Sequence, residues 1–207
     1  MYILPSSILE HCVKNKEELI NLISKETALV VACDNKWGIG KNGTLPWHFK
    51  KDLQWFKSLT TSGEKENIVI MGYNTWLSLP KKPLPFRKNF VFTSKHKEEL
   101  EKHHAICCDS IETFLKHYQQ HKENIGKIFI IGGRQIYNLF LESNLIEKIY
   151  ITHIKKTFDC DTFFPMKEDR LERIKQHHSY EENGTTITTV EYRIKKNDFA
   201  ELKPEHC

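Results

Sequence analysis

Five short apolar runs punctuate the first three quarters of the chain: ALVVAC (28–33), NIVIM (67–71), NFVFT (89–93), KIFII (127–131) and KIYITHI (148–154). Unbroken apolarity over so few residues fits strands buried on both faces, as in parallel sheets. Between the runs, HFKKDLQWFKSL (48–59), SIETFLKHYQQH (110–121) and GRQIYNLFLE (133–142) carry apolar residues at helical spacing, the first helix beginning near His48. Strands that alternate with helices predict an α/β fold, a mostly parallel central sheet flanked by helices on both faces. The end of the chain differs. RIKQHHSY (173–180) and TTITTVEYRIKK (185–196) flank Glu181-Glu182-Asn183-Gly184, and Asn-Gly is a strong tight-hairpin signal, so the sheet should finish with an antiparallel strand.

Three segments follow from the same pattern. Residues 1–26 form an extension in which Leu19, Ile20, Leu22 and Ile23 suggest a short amphipathic helix. Its face could pack on the main domain, on a second copy or on nothing, and composition does not decide. Residues 27–196 are expected to form one folded domain, and residues 197–207 a polar tail. The 207-residue length suits that division.

A net charge of +4 is too small and dispersed for nucleic acid, and no apolar run approaches the ~20 residues of a membrane-spanning helix. The six cysteines form no C-x-x-C pair, which predicts free thiols in a reducing compartment. The pairs His103-His104 and His177-His178 suggest no shared metal, because sequence neighbours point to different sides of a strand or helix. The opening residues lack the basic start of a secretion or transit signal, so a cytoplasmic location is expected.

Two glycine motifs compete as nucleotide sites. Gly38-Ile39-Gly40-Lys41-Asn42-Gly43 spells G-x-G-x-x-G, but Asp34–Trp37 intervene after the strand and Pro46 follows, so these glycines open no helix. They read instead as a flexible loop over a site. Ile130-Ile131-Gly132-Gly133 ends a strand and Arg134-Gln135-Ile136-Tyr137 begins a helix. A diglycine there lets a ligand approach the backbone, and the free N–H groups of the helix favour a phosphate; a plain strand-to-helix turn is the other reading. Asp52 shares a helix face with Trp55 and Phe56, which implies partial desolvation, although an aspartate on a helix is commonly just solvated.

Taken together, these blocks resemble the dihydrofolate reductase family over roughly residues 28–195. The match is carried in order by Val30-Val31-Ala32, the glycine run 38–43, Leu45-Pro46-Trp47, Asp52-Leu53, the blocks 68–76, 83–89 and 130–137, Thr152-His153-Ile154 and Asp161–Pro165. The resemblance implies a central sheet of about eight strands. It implies reduction of 7,8-dihydrofolate to 5,6,7,8-tetrahydrofolate by hydride transfer to C6 with protonation at N5, supplying one-carbon metabolism and thymidylate synthesis. By resemblance, Asp52, Trp47 and Thr152 are the catalytic residues. Val30, Val31, Ala32, Leu53, Phe56, Leu79, Ile131 and Tyr137 surround the substrate, and Arg87 clamps its glutamate carboxylate.

The implied cofactor is NADPH. Its expected contacts are Ala32, Ile39, Gly40, Gly43, Thr44, Gly72, Tyr73, Asn74, Thr75, Thr93, Ser94, Lys95, Ile131, Gly132, Gly133, Arg134, Gln135, Ile136 and Tyr137. The segment from about Asp34 to Trp47 resembles the family's mobile lid. Tyr73 stands where the family usually has a base for the 2′-phosphate, and Lys95 is the replacement charge. Phe86 replaces a usual small residue. The expected partner is dihydrofolate alone, acting on a monomer, with residues 1–26 the segment available for self-association. The rivals are a related reductase of another pterin or a riboflavin precursor, disfavoured by Asp52 with Trp47 and Arg87, and a catalytically idle nucleotide binder, disfavoured by the intact Asp52 and diglycine.

Overall fold

The computed structural model describes residues 21, 23–143, 145–166 and 168–195. The tail and most of the segment expected as an opening helix, including Leu19, Ile20 and Leu22, lie outside the described residues. Of that helix's apolar face Ile23 is described. It is fully buried in the main core, and residues 23–26 are helical, with Thr27 Oγ1 donating to the Ile23 carbonyl at 2.7 Å.

The five apolar runs form β1 (Thr27–Cys33), β3 (Glu66–Gly72), β4 (Arg87–Phe92), β6 (Ile125–Gly132) and β7 (Lys148–Ile154); the terminal hairpin is β9 (Leu171–Glu182) and β10 (Thr185–Ile194). The expected helices are α1 (Lys50–Thr60), α4 (Ile111–His121) and α5 (Arg134–Glu142). Short elements add to these: β2 (Gly38–Gly40), β5 (Ile106–Cys108), β8 (Thr162–Phe163), α2 (Tyr73–Ser78) and α3 (Lys97–Lys102). Eight strands make one sheet in the order β5-β4-β3-β6-β1-β7-β10-β9, with β2 and β8 paired separately. Within it β10 alone runs against the rest, through its antiparallel pairings with β7 and β9. Asn183 and Gly184 both take positive φ, 52° and 68°, as a two-residue hairpin turn requires.

Period-two alternation divides the core between the faces of the sheet. Val30, Val69, Met71 and Phe129 face α1 and α2, where Trp55, Phe56, Leu59 and Trp76 cover them. Leu29, Val31, Ile68, Ile70, Ile128 and Ile130 face α4 and α5, under Phe114, Tyr118, Ile136 and Phe140. Ser110 starts α4 as its N-cap, its hydroxyl accepting from the Thr113 N–H at 3.2 Å.

Two features of this frame shape the site. First, β1 follows β7 in register from Ala28 to Cys33 but pairs with β6 only from Thr27 to Leu29. The two central strands part beyond that point, and the Val30 carbonyl is taken up by the Tyr137 hydroxyl, which donates at 2.9 Å. Second, α1 is fixed at its ends by distant residues. It starts at Lys50 rather than His48, and Phe49 offers no side-chain cap. Glu182 supplies one from the hairpin, accepting from the N–H groups of Lys50 (2.8 Å) and Lys51 (3.2 Å). At the other end Asn67 Nδ2 donates to the carbonyls of Thr60 and Ser62 at 3.0 and 2.8 Å.

Candidate active site

Asp52 sits in the first turn of α1 and is 8% exposed, facing the sheet. Burial pushes its carboxyl up to about 6; a hydrogen bond from Thr152 opposes the shift and the Glu182 carboxylate adds to it. Thr152, on β7 beside Ala32 of β1, is itself buried, its hydroxyl 3.0 Å from that of Thr189. Tyr180 lies close enough to Asp52 for the carboxylate to raise its hydroxyl further, to about 12, after burial. Two buried polar atoms here have no partner among the described residues, Trp47 Nε1 and Tyr180 Oη. Trp47 is tilted against Phe158 at 5.1 Å and shares a cluster with Tyr180.

Around Asp52 the expected apolar positions separate by face. Val30 is buried on the α1 side, where Phe56, Leu79 and Ile131 are half-buried and Leu53 is exposed; Ala32, half-buried, packs against the Trp47 cluster. Val31 and the Tyr137 ring belong to the opposite face, so the structure does not bring their side chains to Asp52. Arg87, at the start of β4, is buried. Its Nη1 donates to Thr60 Oγ1 at 2.7 Å and its Nε to the Pro85 carbonyl at 3.0 Å, with the Phe56 ring 5.9 Å away. Burial lowers the guanidinium from its ordinary value. Phe86, before it, is 75% exposed at φ 62°.

A second group gathers where β3, β4 and β6 end. Gly132, with φ 120°, is joined to Gly133 by a cis peptide. A side chain on either would be tightly placed: a Cβ at Gly132 would lie 3.1 Å from Tyr137 Oη, and one at Gly133 3.3 Å from Thr75 Oγ1. The α5 helix then starts with no side-chain cap, Arg134 and Gln135 exposed and Ile136 buried beneath. Gly72 precedes α2 in the same way, with Asn74 exposed and Thr75 half-buried. After β4, Thr93 is half-buried and Ser94 and Lys95 are exposed. The Tyr73 ring lies flat on His96 at 4.0 Å, and its hydroxyl donates to Glu99 Oε2 at 2.7 Å.

The glycine run expected as a flexible loop has a defined path. Gly38–Gly40 is β2, paired with β8, and Asp34, 4% exposed, accepts from the N–H groups of Lys36, Gly38 and Phe158. Ile39 is half-buried and Gly40 buried, whereas Gly43 and Thr44 at the tip are exposed. Asp161 Oδ2 accepts from the Asn42 N–H at 2.8 Å.

Sequence reasoning missed four residues of this region: Glu182 and Tyr180, which bear on Asp52, and Thr189 and His178, which follow Thr152 in a hydrogen-bonded row. It also placed His177 and His178 on opposite sides of a strand, which the structure corrects. The β9–β10 register passes from His178↔Thr189 to Gln176↔Val190, leaving His177 without a ladder partner. That bulge turns both rings toward Trp55, at 6.3 and 5.4 Å.

Known proteins give the same frame a context. A family model described as Dihydrofolate reductase matches residues 26–194. A dihydrofolate reductase of Schistosoma mansoni is 34% identical over 83% of this chain and 97% of its own length. Those of Drosophila melanogaster (34%, over 80% of this chain and 94% of the relative) and Heliothis virescens (39%, over 68% and 79%) are similar to it as well.

Proposed function

The chain belongs to the dihydrofolate reductase family and reduces dihydrofolate to tetrahydrofolate, and we propose that Asp52 is the group that holds the substrate ring. The observation that carries this reading is a buried carboxyl beside a row of hydroxyls, with the unpartnered Trp47 Nε1 and Tyr180 Oη close by. A pterin presents a ring nitrogen and an exocyclic amino group side by side, and one carboxylate accepts from both. Thr152 keeps that carboxylate oriented. Val30, Ala32, Leu53, Phe56, Leu79 and Ile131 wall the ring and the benzoyl group, and Arg87 clamps the glutamate carboxylate.

The residues fit a reduced nicotinamide dinucleotide. The bare backbone at Gly132 and Gly133, where a Cβ would already be tight, the uncapped start of α5 and the Thr75 hydroxyl together suit a diphosphate. Gly132, Gly133, Arg134, Gln135 and Thr75 would hold the phosphates, with Ala32, Ile39 and Ile131 around the nicotinamide. When bound, the cofactor supplies the hydride. The protein's own work is to fix the acceptor carbon, exclude water with the 34–47 segment, and keep Asp52 and Trp47 Nε1 in place to polarise a water that protonates N5. The four described cysteines are free, as suits a reducing compartment such as the cytoplasm.

NADPH is the proposed cofactor, with Lys95 the charge for its 2′-phosphate. Tyr73 is committed to Glu99, so an acid stands near that charge. Lys95→Ala should weaken NADPH about tenfold, roughly the loss of one charge-assisted bond, and leave NADH little changed. Glu99→Gln should strengthen NADPH alone. Equal effects on both cofactors, measured by fluorescence titration, would refute this assignment. The overall reading is tested by following the reduced-nicotinamide absorbance with dihydrofolate as acceptor. If another pterin is reduced and dihydrofolate is not, the related-reductase reading replaces it.

A further inference from the structure

The sheet register lays four residues in a row across four strands. Ala32 of β1 pairs with Thr152 of β7, Thr152 with Thr189 of β10, and Thr189 with His178 of β9. Directly paired residues point to the same face, here the face under α1. Their polar atoms meet: Thr152 Oγ1 is 3.0 Å from Thr189 Oγ1, and Thr189 Oγ1 is 2.9 Å from His178 Nε2. Thr189 is fully buried, and His178 is half-buried between the Trp55 and Tyr180 rings. At the inner end of the row the Thr152 hydroxyl lies by Asp52 and favours its ionised form.

We propose that His178 is a positioning residue for Asp52, joined to it through the Thr189 and Thr152 hydroxyls by a chain that can carry a proton from the outer edge of the sheet to the buried carboxyl. This rests on the reading of Asp52 as the acid of the site. A hydroxyl donates one hydrogen, so the chain has two consistent directions. With Asp52 ionised, His178 Nε2–H donates to Thr189, Thr189 to Thr152, and Thr152 to the carboxylate. When a solvent proton binds His178 Nδ1, each hydrogen moves one place inward. Nε2 gives its proton to Thr189 Oγ1, Thr189 gives its own to Thr152 Oγ1, and Thr152 gives its own to Asp52. The result is a neutral carboxyl and a neutral imidazole carrying Nδ1–H, with all bonds reversed and no charge left in between. Because every turnover consumes a proton, a route that refills the buried site without opening the cleft is useful to the reaction.

The surroundings of His178 suit a neutral imidazole that receives protons briefly. Burial lowers its proton affinity and the neighbouring His177 lowers it further. His177 is held by Glu191 of β10 at 3.0 Å. Tyr180 stacks on the imidazole, and Lys51 of α1 lies 5.0 Å from the far ring's centroid. Tyr150 of β7 faces Trp55, and the Glu182 carboxylate is occupied at the start of α1.

The test is the His178 imidazole titration, followed by NMR in the full chain with and without Asp52→Asn, and again in a Thr189→Val background. An intact chain makes the His178 titration shift with Asp52→Asn, and Thr189→Val abolishes that shift. The pH profile of turnover should move upward by about half a pH unit in Thr189→Val, because a chain polarised end to end stabilises the carboxylate more than one hydroxyl does. Thr189→Ser should restore it. An unshifted His178 titration in Asp52→Asn, in a folded protein, overturns the proposal, and so does a Thr189→Val profile identical to the parent. Failure of the Asp52 reading looks different: Asp52→Asn would then turn over normally while the NMR coupling persists.

Discussion

Asp52→Asn is expected to lower turnover about 10³-fold at neutral pH while making the folded chain harder to unfold. Both effects come from the same burial. The folded carboxyl is pushed from 3.8 up to about 6, so its protonated form is the one the fold prefers. Its contribution is fully present below about pH 4 and is lost as pH rises through 6, where the native state must hold a buried anion. At about 1.4 kcal/mol per pH unit of displacement, the cost saturates near ~3 kcal/mol above pH 7. Asparagine keeps the shape and never ionises. Urea unfolding should therefore find the variant more stable at pH 8, by up to about 3 kcal/mol, and equal to the parent near pH 4. Near-normal turnover would remove Asp52 from the chemistry, and lost turnover with no gain at pH 8 would mean that the carboxyl is solvated.

Arg87→Leu should weaken dihydrofolate by about a hundredfold or more, at the scale of two lost charge-assisted bonds, and barely affect a pteridine that lacks the glutamate. Nη1 and Nε are directed inward to Thr60 and Pro85, which fixes the plane of the guanidinium and leaves its remaining N–H groups for a carboxylate. The Thr60 hydroxyl also donates to the Phe56 carbonyl at 2.7 Å, so α1 keeps that partner when the arginine is gone. The comparison of the two substrates isolates the clamp from any loosening of the helix. Equal losses for both would reject it.

Long periodic segments were legible from residues alone, because the ALVVAC-type runs and the 110–121 helix each repeat their signal over several positions. The pieces of three to six residues were not. Ile106–Cys108 is a strand because it lies beside β4, and nothing in Ile-Cys-Cys announces that; α2 and α3 are likewise set by the strands they follow. In the site, Asp52 was visible through its aromatic neighbours and the diglycine through its place between strand and helix. Val30-Val31-Ala32 was read as one block, although alternation along β1 sends Val31 to the far face. Glu182, Thr189 and His178 carried no signal, because their meaning depends on cross-strand register and on one bulged residue. A bulge leaves no fixed trace in a single sequence.

The Glu182 cap has a consequence for synthesis. The carboxylate that holds the first N–H groups of α1 arrives 132 residues after Lys50, and the strand that supplies Thr189 follows it. A nascent chain still threaded in the ribosome short of that hairpin carries Asp52 on a helix with a bare start, next to a sheet whose last rows are missing. On the proposed role of Asp52, folate binding waits until that hairpin has been made, and a fragment released before it offers no complete cleft to compete for ligand.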